Sequence, residues 1–347
     1  MFKHLIIKNF RCFAGLHLAH LDRVNLIAGK NNTGKTSLLE ALCLHCGPDD
    51  SLLPTKIHEF RGIGDNVNAY SELWNWLFID KTQSIGIELT SQDDKGIYQT
   101  LEIQLTTVEK ARAKNPNLHG VYASNPRAPC LMLVYKGPEA FERRVWVVGG
   151  QGEAWFDPVA AWKVPCVFIS SGIPSSQMAV KFFSELDIAK RADELLPALN
   201  VLEPRLKRLS TPQIGGQSEI HGDIGLNHLV PIPLMGEGIK RLLSILVSIF
   251  HVPGGVVLID EVENGLHYSV MKDVWKAIAL AARQMDVQVF ATTHSYECIQ
   301  AAHEAFLASD NYDLRLFRLD RINDEIQVTN YDAETIGAAV DYYHEVR

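Results

Sequence analysis

The chain has 347 residues, 47% of them hydrophobic, with a formal net charge of −8 and six cysteines. That composition sustains one large core or two moderate ones. No apolar run reaches the roughly 18 residues a membrane span needs, and scattered cysteines without a secretory leader read as a reduced, cytoplasmic protein. An acidic chain gains little from non-specific attraction to nucleic-acid phosphate, so DNA binding would need a local patch or an assembled oligomer.

In chain order, Met1–Lys8 alternates like a strand, and residues 1–46 read as strand, strand, loop, helix. Cys43-Leu44-His45-Cys46 has the residue types of a zinc site. It continues an apolar helix, however, and no second ligand pair follows at a suitable spacing, so it reads as structural. Residues 51–170 are rich in short β patterns. Ile85, Ile87 and Leu89 alternate with polar positions, as do Leu101, Ile103 and Leu105, and Gln92–Gly96 between them is turn material. Cys130–Lys136 and Arg143–Val148 form a second strand pair. The proline- and asparagine-containing stretch 110–129 between the two pairs reads as a mobile loop. Residues 174–200 turn helical, with Val180, Phe183, Leu186, Ile188, Ala192, Leu195 and Leu199 falling roughly on one apolar face.

Residues 205–222 return to a strand-like pattern with Gly215-Gly216 as a turn. The last third reads helix (237–250), buried strand (256–259), helix (268–285), buried strand (287–292) and helix (295–307), then a hairpin (314–319 with 325–329) and a short helix (333–344). Apolar strands alternating with helices predict a covered, largely parallel sheet.

The chemistry lies between these elements. The apolar strand Val24–Ala28 runs into Gly29-Lys30-Asn31-Asn32-Thr33-Gly34-Lys35-Thr36, which matches the phosphate-binding pattern G-x-x-x-x-G-K-[ST] at every fixed position, and a helix follows from Ser37. Glycines let the backbone curl so that several N–H groups point at phosphate oxygens, and the helix N-terminus adds partial positive charge. This predicts ATP with Mg²⁺ in the loop formed by Gly29, Asn31, Asn32, Thr33, Gly34, Lys35, Thr36 and Ser37. Lys35 would reach the β- and γ-phosphates and the Thr36 hydroxyl would ligate Mg²⁺. Hydrolysis also needs a carboxylate on the metal and a group that orients water. Asp260 and Glu261, directly after the buried strand Val256–Ile259, supply a metal-binding carboxylate and a general base. One strand later, His294 is placed to sense the γ-phosphate.

This order resembles the ABC-type ATPase heads of the RecF, SMC and OLD (overcoming-lysogenisation-defect) proteins, with Leu5–Arg11 similar to their opening strand. The resemblance implies an α/β P-loop NTPase of the ABC-ATPase-head kind: mixed central sheet, inserted β-rich lobe and helical lobe. The core would be residues 1–50 and 223–347, the β-rich lobe 51–170 and the helical lobe 171–222. It also implies a dimer in which each ATP lies between the P-loop of one head and a signature loop of the other. Leu234-Met235-Gly236-Glu237-Gly238 occupies the signature position, with Gly236 and Gly238 approaching the partner's nucleotide. Met235 and Gly238 stand where the family's hydroxyl donor and glutamine usually are, so the contact would be made by backbone. Glu263–His267 is placed as the loop that crosses the dimer interface. Gln177 is the positional candidate for a metal-approaching glutamine, or equally a first-turn helix residue. Arg11 is placed to approach the nucleotide from the first strand.

The string Asp260–His267 is similar to the form usual in OLD-like ATPases. The stretch after Leu307 is too short for the TOPRIM nuclease of full OLD proteins, and sustained heptads of the SMC kind are absent. The expectation is a nuclease-less, OLD-like ATPase switch, a homodimer or higher oligomer, acting on a separate effector protein, with a nuclease in prokaryotic defence as the candidate. A RecF-like DNA clamp is the alternative, with Arg205-Leu206-Lys207-Arg208 as its one dense basic stretch. Of Trp74, Trp76, Trp146, Trp155 and Trp162, most are expected in the core.

Overall fold

A computed structural model of the chain describes residues 1–47, 50, 52–63, 70–79, 85–114, 126–138, 142–148, 153–156, 164–171 and 176–341. The strands are β1 (Phe2–Phe10), β2 (Phe13–Ala19), β3 (Val24–Gly29), β4 (Ile87–Asp93), β5 (Tyr98–Thr107), β6 (Pro129–Lys136), β7 (Glu142–Val148), β8 (Glu153–Phe156), β9 (Cys166–Ile169), β10 (Arg208–Ser210), β11 (Gln213–Ile214), β12 (Gln217–Ser218), β13 (His221–Asp223), β14 (Val230–Pro231), β15 (Val256–Ile259), β16 (Gln288–Thr292), β17 (Leu314–Ile322) and β18 (Glu325–Tyr331). The helices are α1 (Lys35–Cys46), α2 (Leu53–Glu59), α3 (Tyr70–Asn75), α4 (Val108–Lys114), α5 (Ser176–Ile188), α6 (Leu196–Leu199), α7 (Glu237–His251), α8 (Met271–Gln284), α9 (Tyr296–Leu307) and α10 (Ala333–Asp341). The chain divides into two units, one of Met1–Leu21, Lys30–Val164 and Leu319–Asn330, the other of Asp22–Gly29, Pro165–Arg318 and Tyr331–Arg347.

The first unit is built on an antiparallel sheet in the order β2-β1-β4-β5-β6-β7-β8. Its register follows the apolar alternation: Leu89 faces Leu101 and Ile87 faces Ile103 across the hairpin closed at Gly96, whose φ is 77°. Strand β1 pairs with β4, so this sheet takes strands from both sides of residue 50. Trp74 and Trp146 are buried, whereas Trp76 is 55% exposed. Of the 110–129 stretch expected as a loop, 110–114 lie in α4 and Pro129 in β6, and 115–125 lie outside the described residues, as do Pro174, Ser175, His344 and the side chains of Trp155 and Trp162. The Cys43–Cys46 segment lies in α1 with both cysteines buried, and His45 bonds Ser91 at 2.7 Å. No metal-binding group of three or more His, Cys, Asp or Glu occurs among the described residues.

The second unit holds a sheet ordered β17-β3-β16-β15-β9, with β17 running on into the hairpin with β18. Strands β3, β16, β15 and β9 are parallel to one another. Every residue of β3, β15 and β16 is buried, which accounts for their unbroken apolar runs. Asn25 is the polar exception in β3. It is satisfied by Asp22, whose carbonyl accepts from Asn25 Nδ2 at 2.7 Å and whose N–H donates to Asn25 Oδ1 at 2.9 Å. Helix α7 buries Ile239, Leu242, Leu243, Ile245, Leu246 and Ile249, and α8 buries Val274, Trp275 and Ile278.

The helical stretch expected over 174–200 is broken into α5 and α6, and Ile188, expected on its apolar face, is instead 83% exposed at the end of α5. Helix α5 stops at Ile188 because Lys190 turns left-handed (φ 58°), and the Arg191 N–H folds back onto Leu186 O at 2.9 Å. A 3₁₀ turn over Ala192–Leu195 then leads into α6, with Pro197 in its first turn. The helix expected from 268 likewise opens with a 3₁₀ turn, Tyr268–Val270, capped by His267.

Candidate functional site

The parallel sheet of the second unit explains why the chemical residues gather at one edge. Register pairs Ile27 with Thr292 and Ile259 with Ala291, so the chain leaves β3 at Gly29, β15 at Asp260 and β16 at Thr293 on the same side. Strand C-terminal ends are where α/β sheets place ligands.

In the first unit, Lys30–Thr36 wraps the start of α1. Asn32 (φ 64°) and Gly34 (φ 93°) are both left-handed. Gly34 also has no room for a side chain, because a Cβ there would lie 2.6 Å from Cys12 Sγ and 2.8 Å from Phe13 Cζ. Thr33 Oγ1 donates to Lys30 O at 2.9 Å, and the buried Lys35 Nζ donates to the same carbonyl at 2.9 Å. Arg321 Nη2 holds Asn32 O at 3.1 Å. Asn31 and Asn32 are exposed, Thr36 is half-buried and Ser37 is buried. Gly34, at the N-cap, gives α1 no side-chain cap. A helix start without a side-chain cap, beside a lysine and a hydroxyl, fits a phosphate bound with its metal.

Behind the loop, a charge cluster fixes α1. Glu40 is fully buried; Arg61 grips it with two bonds, Nε to Oε1 at 2.6 Å and Nη2 to Oε2 at 3.0 Å, and also reaches Ser37 Oγ at 3.1 Å. Arg11 Nε is 2.7 Å from Glu40 Oε2. Arg11, placed by sequence beside nucleotide, is thus paired with a carboxylate of α1. Burial pulls its pKa down while Glu40 raises it.

In the second unit, Asp260 is 6% exposed and its two oxygens have different partners. Thr292 Oγ1 donates to Oδ1 at 2.7 Å, and Ser171 Oγ donates to Oδ2 at 3.3 Å. Glu261 is left-handed at φ 50°. Its N–H donates to Thr292 Oγ1 at 2.8 Å, and its Oε2 accepts from Asn264 Nδ2 at 2.8 Å. His294 Nε2 lies 3.7 Å from Glu261 Oε1, and the His294 N–H donates to Glu263 Oε1 at 2.8 Å. The structure therefore brings Asp260, Glu261 and His294 together.

Gln177 lies exposed in the first turn of α5, and the hydroxyl that reaches Asp260 from this segment belongs to Ser171. Gly236 precedes α7 at φ 120°. Gly238 packs against the turn after Glu261, since a Cβ there would meet Gly265 O at 3.2 Å. A cavity of about 250 Å³ in this unit is lined by Ser171, Ala179, Ile232, Arg241, Leu243 and Asn264, so it abuts the same turn. Ser171, Thr292 and Arg241 were not evident as site residues from the sequence, whereas Asn264 lies in Glu263–His267, which the sequence placed at a dimer interface.

The basic stretch 205–208 is largely neutralised: Arg205 forks onto Glu203, and Arg208 Nε is 3.5 Å from Asp223. No helix among the described residues is long and apolar enough to cross a membrane.

Two families match parts of the chain. One, described as "AAA domain, putative AbiEii toxin, Type IV TA system", covers residues 170–299, and another, described as "AAA domain", covers residues 4–125. A protein of Helicobacter pylori named ATP/GTP phosphatase is 25% identical over 99% of this chain and 98% of its own length. An uncharacterised protein of Methanocaldococcus jannaschii is 52% identical over 44 residues, 13% of this chain and 20% of its own. Among solved structures, an Smc head bound to the C-winged helix domain of ScpA aligns with a TM-score of 0.53 at 12% identity, covering 96% of this chain and 98% of that one. The chain has the fold of an SMC-type P-loop ATPase head.

Proposed function

We propose that the chain is an ATP-hydrolysing switch of the ABC type that dimerises around Mg²⁺-ATP and controls a separate effector protein. The observation that carries this reading is the common sheet edge at which Gly29, Asp260-Glu261 and His294 emerge. The SMC-head fold and the Helicobacter pylori relative's name support nucleotide hydrolysis.

In this reading the backbone of Gly29–Thr36 and the Lys35 ammonium hold the phosphates, and the Thr36 hydroxyl and Asp260 hold Mg²⁺. The bound metal supplies charge neutralisation on the phosphates. Glu261 accepts a proton from the attacking water, and His294 faces the γ-phosphate. Gly236 and Gly238 present backbone to the second copy's nucleotide. These residues would suffice for hydrolysis, and no second catalytic cluster stands out among the described residues, which is why the output is assigned to a partner. The OLD-like character of Asp260–His267 and the toxin–antitoxin wording of the matched family both favour a role in prokaryotic conflict, with a separately encoded nuclease as the effector.

The test is size-exclusion with light scattering on Glu261→Gln, with and without Mg²⁺-ATP. The proposal expects a dimer with ATP and a smaller species without it. An unchanged mass would overturn the dimer.

A further inference from the structure

Arg241 lies in the second turn of α7, just after the Gly236–Gly238 loop. Its Nη2 donates to Asp260 O at 2.6 Å and to Glu261 O at 3.0 Å, and its Nη1 donates to Ser170 O at 3.4 Å. The two carbonyls bound by Nη2 flank the Glu261 Cα on both sides. Glu261 occupies a left-handed conformation that a non-glycine residue holds only when its surroundings fix it, at a cost on the order of 1 kcal/mol or more. A guanidinium suits the task. It is planar, permanently charged and able to bridge two acceptors, where an ammonium is a point donor.

A second contact joins the same two segments. A Cβ on Gly238 would lie 3.2 Å from Gly265 O, and one on Gly265 would lie 3.0 Å from Glu237 Cβ. The first turn of α7 and the turn after Glu261 therefore pack backbone to backbone, with Arg241 bonded across them. Partial burial disfavours the Arg241 charge, while Asp260, Glu263 and Glu261 favour it.

We infer that Arg241 is a positioning residue for ATP hydrolysis, fixing the Glu261 carboxylate and transmitting movement of the Leu234–Gly238 loop to it. The inference rests on the ATPase reading above. It makes α7 the lever by which anything that engages the Gly236 loop, including a second copy, would set the base of the same chain.

The experiment compares wild type, Arg241→Lys and Arg241→Met for kcat, KM, binding of a fluorescent ATP analogue with Mg²⁺, and melting temperature. The expected result is a kcat at least tenfold lower in Arg241→Met, analogue affinity within about threefold of wild type, and partial recovery in Arg241→Lys. Equal kcat in all three proteins would overturn the inference. So would a loss of kcat that merely tracks the loss of folded protein or of nucleotide binding. If Arg241→Met does not fold, Arg241→Lys decides: wild-type kcat there overturns the inference, and a reduced kcat with intact binding supports it. A wild-type protein that hydrolyses no ATP would overturn the proposed function itself, and this result is read before any variant is made.

Discussion

Thr292 Oγ1 donates to Asp260 Oδ1 at 2.7 Å and accepts from the Glu261 N–H at 2.8 Å, so one hydroxyl at the end of β16 orients both carboxylate residues that follow β15. The arrangement is possible because the two strands are parallel and adjacent, with Ile259 opposite Ala291. Thr292 is fully buried, so neither bond competes with water. Thr292→Val keeps the shape and removes both bonds. It is expected to cost roughly 1–3 kcal/mol of stability and to raise the Mg²⁺ concentration needed for half-maximal ATP hydrolysis. Denaturant unfolding and a Mg²⁺ titration check the two effects.

Gly34→Ala is expected to abolish nucleotide binding and to destabilise the fold by about 1–3 kcal/mol. The position is left-handed, and the new Cβ would press on Cys12 and Phe13. Lys35→Ala should also abolish binding, but with a smaller loss of stability than Gly34→Ala, because it removes a side chain and presses no new atom against Cys12 or Phe13. Fluorescent ATP-analogue titration and thermal melting separate the two variants.

Glu40→Ala removes the carboxylate shared by Arg11 and Arg61 and leaves two cations facing each other behind α1. Breaking a buried ion pair by deleting one partner costs about 3–5 kcal/mol. The expected outcome is a large drop in melting temperature, with partial recovery in Glu40→Gln, which keeps an acceptor.

His45 is fully buried, and burial lowers its pKa from 6.5 to about 4. Above pH 6.5 the ring is neutral in both folded and unfolded chains. Between 6.5 and 4 only the unfolded chain takes up the proton, so stability falls as pH drops through that window, by about 3 kcal/mol in all. His58 is lowered to about 4 by burial, with Arg11 and Arg61 adding to the effect, and acts in the same direction. Unfolding free energy measured from pH 7.5 to 4.5 should decline, and His45→Leu should reduce the slope.

What the sequence made legible was chemistry written in consecutive residues. Gly29–Thr36 is a local pattern, Asp260-Glu261 follows an unbroken apolar run, and the β4–β5 hairpin announces itself through alternation and a glycine turn. The structure adds the partners of these residues, which come from distant positions and leave no periodic trace. Ser171 and Thr292 reach Asp260 from 89 and 32 residues away, and Arg241 reaches it from 19. Lys190 broke an expected helix because a left-handed lysine has no sequence signature comparable to glycine.

Steady-state phosphate release by the purified chain with Mg²⁺-ATP, beside Glu261→Gln under the same conditions, tests the central claim most directly. The account predicts turnover by the wild type, and for Glu261→Gln equal ATP affinity with turnover lower by about 10²-fold or more. Turnover by Glu261→Gln at the wild-type rate, or none by the wild type, would contradict it.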